Sequence, residues 1–217
     1  MDKQTNAILN QKYVTKASTF RPKFNAEKVY QTLIDILREK FKDKLNRNGT
    51  KGIILTDKYR HIVGQIACWY ANDERFLGDL RKGILLRGGV GTGKTKILEA
   101  LQETINKVEG RIILLIHTRD LQDLYMNQDR EEIERHRTRN LEFIDDLGVE
   151  NVEVKYFGNV IEPFNDIFDY RYRHGLQTVI TTNLPPSEIK ETYGDRIASR
   201  FRETLNDLIL DGEDLRK

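Results

Sequence analysis

A chain of 217 residues with 38% hydrophobic content and a net charge of only +2 suits one domain with an appendage rather than two full domains. Its longest uninterrupted aliphatic run, Ile112 to Ile116, is far short of the about 18 residues that a membrane-spanning helix needs, so a membrane span is excluded. The first residues lack the continuous apolar stretch of a signal peptide, which predicts a cytoplasmic protein. Cys68 stands alone, which rules out a disulfide within the chain, and the four histidines are too scattered for structural zinc.

Charge is unevenly spread. Residues 1–51 carry 12 basic and 5 acidic side chains, whereas the remainder carries 24 and 29. A basic leader on an acidic body can attract phosphates or an acidic protein surface, and can equally be a solvated helix of mixed charge. Asn25 is placed to cap a helix over 26–45, with Val29, Leu33, Ile36, Leu37 and Phe41 along one face. The polar run 46–50 then predicts a boundary: a helical N-terminal segment over 1–50 and a larger unit over 51–217. A second amphipathic helix is expected over Asp57 to Tyr70, with Ile62, Ile66 and Trp69 turned inward. Trp69 and Tyr70 read as core residues in preference to an adenine stack.

From Gly83 onward, short aliphatic runs alternate with longer helical stretches. Ile84 to Leu86, Ile112 to His117, Leu141 to Asp145, Thr178 to Thr182 and Leu208 to Leu210 read as five strands. Runs that are apolar at nearly every position predict strands covered on both faces, hence a parallel α/β sheet flanked by helices.

Directly after the first of these runs comes Gly88-Gly89-Val90-Gly91-Thr92-Gly93-Lys94-Thr95, which matches G-x-x-x-x-G-K-[ST] and leads into a helix-forming sequence. Its glycines let the backbone fold into a concavity whose N–H groups face a polyphosphate, and the helix beginning near Lys94 adds the positive end of its dipole. Lys94 is expected on the β- and γ-phosphates and the Thr95 hydroxyl on Mg²⁺, so ATP or another nucleoside triphosphate is implied.

The strand ending in Asp145-Asp146-Leu147-Gly148 brings two carboxylates to the same end of the sheet. Asp145 is the expected Mg²⁺ partner and Asp146 the group that orients or deprotonates a water, the alternative being an ordinary strand-ending turn. Asn183 closes another strand, where its amide could contact both that water and the γ-phosphate. Arg196 and Arg200 lie one helical turn apart on a shared face, either solvated or projecting into a neighbouring subunit's site.

With these residues assembled, the chain resembles the AAA+ ATPases, and within them the helicase loaders of DnaC type and the transposition helpers of IstB type. The resemblance runs from about Leu77 onward, through GIL-L-GGVGTGKT, FIDDLGVE, DIFDYRYRHGLQTVITTNL and YGDRIASRF. It implies that Gly88 to Thr95 form Walker A, that Asp145 and Asp146 form Walker B, that Asn183 is sensor 1 and that Arg200 is an arginine finger. Arg216 falls where such proteins carry a late arginine of sensor 2 type, although the chain leaves no room beyond it for a helical lid domain.

The resemblance further implies ATP-dependent assembly into a ring or open helix, with single-stranded DNA and a replicative helicase, or a transposase, as partners. Residues 117–119 or 171–173 are the candidate DNA contacts, and residues 1–50 the candidate client-binding segment. A small phosphate-loop kinase and a nucleotide-dependent adaptor with negligible turnover are the alternatives of another class.

Overall fold

The computed structural model describes residues 25–44 and 49–212; the leader over 1–24 and Arg216 lie outside them. Helix α1 (Ala26–Phe41) starts where expected, with the Asn25 carboxamide oxygen accepting the Lys28 N–H at 2.8 Å. Helix α2 (Asp57–Tyr70) is capped in the same way by Thr56, which accepts from Tyr59 at 3.2 Å. Trp69 is buried and its indole N–H donates to the Lys82 carbonyl at 2.7 Å, which confirms the core reading.

The chain then alternates: β1 (Gly83–Arg87), α3 (Lys94–Glu109), β2 (Leu115–His117), α4 (Thr118–Met126), α5 (Arg130–Thr138) and β3 (Leu141–Leu147). A hairpin of β4 (Val154–Tyr156) and β5 (Asn159–Ile161) follows, and then α6 (Pro163–Arg173), β6 (Gln177–Thr182), α7 (Pro186–Thr204) and β7 (Leu205–Ile209). The five long-range strands form one parallel sheet in the order β2-β3-β6-β1-β7. This is the predicted architecture. No helix among the described residues is long and apolar enough to cross a membrane.

Helices α1, α2 and α3 cover one face of the sheet in a single apolar cluster that includes Leu33, Leu37, Ile66, Ile84, Leu101 and Phe143. The predicted boundary region notwithstanding, α1 is packed into this body. Val29, Leu33 and Leu37 are fully buried, and Lys40 forms ion pairs with Glu99 and Glu103 of α3. Helices α4 to α7 bury the other face around Ile144, Phe168, Ile180 and Phe201.

Three elements depart from expectation. β2 begins at Leu115 because residues 111–114 carry the chain from the left-handed cap at Gly110 to the sheet edge, leaving Ile112 70% exposed. β7 begins earlier, at Leu205: it is an edge strand in which only Leu205 is buried, with Asn206 and Leu208 half-buried and Asp207 and Ile209 exposed, so the polar pair Asn206 and Asp207 concealed it from a search for continuous apolar runs. The β4–β5 hairpin was not expected at all. Its turn residues Phe157 and Gly158 both have positive φ, a conformation usually signalled by Asn-Gly or Asp-Gly.

Candidate nucleotide site

The phosphate loop spans 88–93 between β1 and α3. Gly91 and Gly93 take φ of 79° and 91°, the left-handed region that side chains resist, and Gly93 is the N-cap of α3. Gly88 is required for a different reason: a Cβ there would stand 2.1 Å from the Leu210 carbonyl oxygen. Gly89 meets neither constraint, since its nearest atom to a Cβ is 3.7 Å away. The loop therefore depends on three of its four glycines rather than on all of them.

Lys94 is buried, and its Nζ donates to the carbonyls of Gly88 (2.9 Å) and Gly89 (2.8 Å) and to Asn183 Oδ1 (2.5 Å). Hydrogen bonds from an ammonium to charged oxygens are stronger than those to carbonyl or amide oxygens, so incoming phosphate oxygens gain by replacing these three acceptors. Thr95 Oγ1 donates to Asp145 Oδ1 at 3.2 Å, and the same carboxylate oxygen accepts from Thr181 Oγ1 at 2.5 Å. Burial raises the Asp145 pKa above the ordinary carboxylate value, with these two hydroxyls pulling the other way. A hydroxyl and a costly buried carboxylate are hard oxygen donors of the kind Mg²⁺ takes, the rest of its shell coming from phosphates and water. The residues fit the ion. No group of three His, Cys, Asp or Glu able to hold a metal occurs among the described residues.

Asp146 follows in a left-handed conformation, φ 58°, which is uncommon for a residue other than glycine. Three contacts fix it: its N–H donates to Thr181 Oγ1 (2.9 Å), its carbonyl accepts from Thr118 Oγ1 (2.9 Å), and its carboxylate lies 3.6 Å from His117 Nε2. His117 caps α4 by accepting the Arg119 N–H at Nδ1, which leaves the proton of a neutral ring on Nε2, facing Asp146. Thr181 escaped notice as a site residue because it is ordinary in sequence, and His117 and Thr118, expected as DNA contacts, are instead placed against Asp146. The repeated threonines of Thr178-Val179-Ile180-Thr181-Thr182, polar groups on a fully buried strand, were the available signal.

Sheet order explains the convergence. β6 lies between β1 and β3, so the two strands carrying the loop and the aspartates are not neighbours, and Asn183 emerges between them. Lys94, Thr95, Asp145, Asp146 and Asn183 are thus brought together. Arg200 is not: it forms an ion pair with Asp169 of α6 and lies over the Tyr172 ring at 4.5 Å.

One expected DNA contact is overturned. Arg171 is fully buried, donating to the Thr178 hydroxyl (2.9 Å) and the carbonyls of His136 (3.0 Å), Arg139 (2.8 Å) and Gln177 (2.5 Å). It stitches α5, α6 and β6 together and has no face left for a polynucleotide.

The family model of the bacterial DnaA ATPase domain matches residues 75–207, which contain the loop, both aspartates, Asn183 and Arg200. The chain belongs to this family. It is 28% identical over 127 residues to the chromosomal replication initiator protein DnaA of Borreliella afzelii (strain PKo), covering 56% of this chain and 25% of that protein. With DnaA of Pseudothermotoga lettingae it shares 31% over 123 residues, covering 55% and 27%. The match thus spans about a quarter of these relatives' length.

Among solved structures, DnaI superposes with a TM-score of 0.62 at 19% identity, covering 93% of this chain and 99% of that one. The DnaC helicase loader gives 0.56 at 21%, covering 71% and 90%, and AMPPCP-bound DnaA from Aquifex aeolicus gives 0.55 at 20%, covering 76% and 50%. At such identities the likeness is one of fold. The family membership makes this an AAA+ ATPase domain, related to replication initiation proteins.

Proposed function

We propose that this chain is an ATP-dependent replication accessory protein of the helicase-loader kind, which hydrolyses ATP in an oligomer and holds single-stranded DNA. In this reading the N–H groups of 88–93 cradle the triphosphate, and Lys94 exchanges its carbonyl and amide partners for phosphate oxygens. Thr95 and Asp145 would hold Mg²⁺, and the ion would supply charge neutralisation at the phosphates when bound. Asp146 orients or deprotonates the attacking water, and Asn183, freed from Lys94, contacts the γ-phosphate. Arg200 of a second copy completes the site, and residues 1–50 and the late Arg216 serve the client and the nucleotide respectively.

What supports this reading is the division of the machinery. The side chains that converge at the cradle include a lysine, carboxylates and an amide, while Arg200 is carried at the other side of the subunit, on the half of α7 that leads into β7. A site that lacks its arginine in one copy is completed by the next, which makes hydrolysis a property of the assembly. DnaI and the DnaC helicase loader share the fold.

Affinity capture of the full chain from its native host, with ATP and Mg²⁺, tests the partner. Recovery of a hexameric helicase is expected, and recovery of a transposase would overturn the loader reading. Phosphate transfer to a nucleoside by a single subunit would instead make it a kinase.

A further inference from the structure

Helix α7 leaves Asn183 at the carboxyl end of β6 and returns to the start of β7, so its second half runs away from the subunit's own phosphate cradle. Gly194, with φ 83° and ψ 164°, breaks the helix and makes 195–204 a separate segment. Ile197, Ala198 and Phe201 seat this segment, with the Phe201 ring edge-on to Phe164 and Phe168 of α6. At its rim, Asp169 of α6 receives two arginines. Arg200 pairs with Oδ1, stacks on Tyr172 and is 18% exposed; Arg196 lies 2.8 Å from Oδ2 and is 67% exposed.

We infer that Asp169 is a positioning residue that holds Arg200 against its own subunit, and that Arg196 is the counter-ion that allows the pair to open. The inference rests on the reading of Arg200 as an arginine supplied to a neighbouring site. A half-buried carboxylate deprived of its one cation is left uncompensated, a costly state. A carboxylate with two cations avoids it: when Arg200 turns to a neighbour's triphosphate, Arg196 still neutralises Asp169. The assignment of roles follows from exposure. Arg200 is the stacked, shielded partner whose departure would otherwise be penalised, and the solvated Arg196 contributes little binding of its own but remains behind.

A held arginine lowers the fraction of subunits ready to assemble, and the apparent affinity between subunits falls by that fraction. ATP hydrolysis by the full chain, measured against protein concentration at saturating ATP, reads this directly. Asp169→Asn is expected to reach half-maximal rate at a concentration about three- to tenfold lower than wild type. Arg196→Gln is expected to shift the half-maximum upward by a similar factor at an unchanged plateau. Opposite shifts from the two sides of one ion pair are a signature that loss of stability cannot produce. The double variant Asp169→Asn, Arg200→Ala should be as inactive as Arg200→Ala alone, because the gain acts through Arg200.

If Asp169→Asn leaves the half-maximum unchanged or raises it while Arg200→Ala is inactive, the latch is wrong and the shared site stands. If Arg200→Ala hydrolyses ATP like wild type at every concentration, the shared site itself is wrong and the latch falls with it.

Discussion

Each residue of the cradle is held by a contact that the nucleotide complex has to replace or share. Lys94 donates to the neutral oxygens of Gly88, Gly89 and Asn183, which charged phosphate oxygens can replace, and Lys94→Ala is therefore expected to abolish ATP binding, as measured by equilibrium titration with a fluorescent analogue, while the fold remains intact. Asp145 shows the opposite balance. Burial raises its pKa, so ionising it in the folded state destabilises the protein as pH rises from about 4, its unfolded value, through the raised value. Asp145→Asn keeps an oxygen for Thr95 and Thr181 but removes the buried charge. It should stabilise the protein without Mg²⁺ by about 1 kcal/mol at pH 7 and by little at pH 4, while abolishing Mg²⁺-dependent hydrolysis. Urea titrations at the two pH values check the first part; equal stability at pH 7 would count against a buried, charged Asp145. Asp146, His117, Thr118 and Thr181 form one tethered turn in which a left-handed aspartate is kept in place by three partners. That strain was invisible in the sequence, because φ at Asp146 is set by the neighbouring strand and helix.

Among the elements, the phosphate loop is constrained from two directions, and the two kinds of constraint can be separated by substitution. Gly88→Ala drives a Cβ into the Leu210 carbonyl beyond β7 and is expected to destabilise the protein by about 2 kcal/mol or more, whereas Gly89→Ala makes an ordinary van der Waals contact with the Thr92 side chain and should leave stability nearly unchanged. Thermal denaturation of the pair distinguishes backbone crowding from mere loop composition. Helix α1 offers a similar contrast. Its apolar face was legible from spacing alone, but what that face meets was not, since amphipathicity specifies a buried side and not a partner. The partner is the body itself, so Leu33→Ala should cost about 2 to 5 kcal/mol in urea unfolding, a loss that a solvated leader helix would not show.

For the whole molecule, the decisive expectation concerns mixtures. Asp146→Asn supplies an arginine but no water-activating carboxylate, and Arg200→Ala supplies the reverse. Each alone should be inactive, and their mixture should recover part of the wild-type ATPase rate, rising with total protein concentration. Absence of rescue would mean that the two groups never meet across a shared site. The sequence by itself determined the loop, the two aspartates, Asn183, five strands and the parallel α/β class, because each is written in contiguous residues whose local conformation or burial repeats along the chain. Only the tertiary structure decided that β6 separates the loop strand from the aspartate strand, that Arg171 is a buried strut, and that Arg200 rests on Asp169. Those facts join residues far apart in the chain. A guanidinium has the same composition and spacing whether it faces solvent, carbonyls or a carboxylate, and packing alone selects among them.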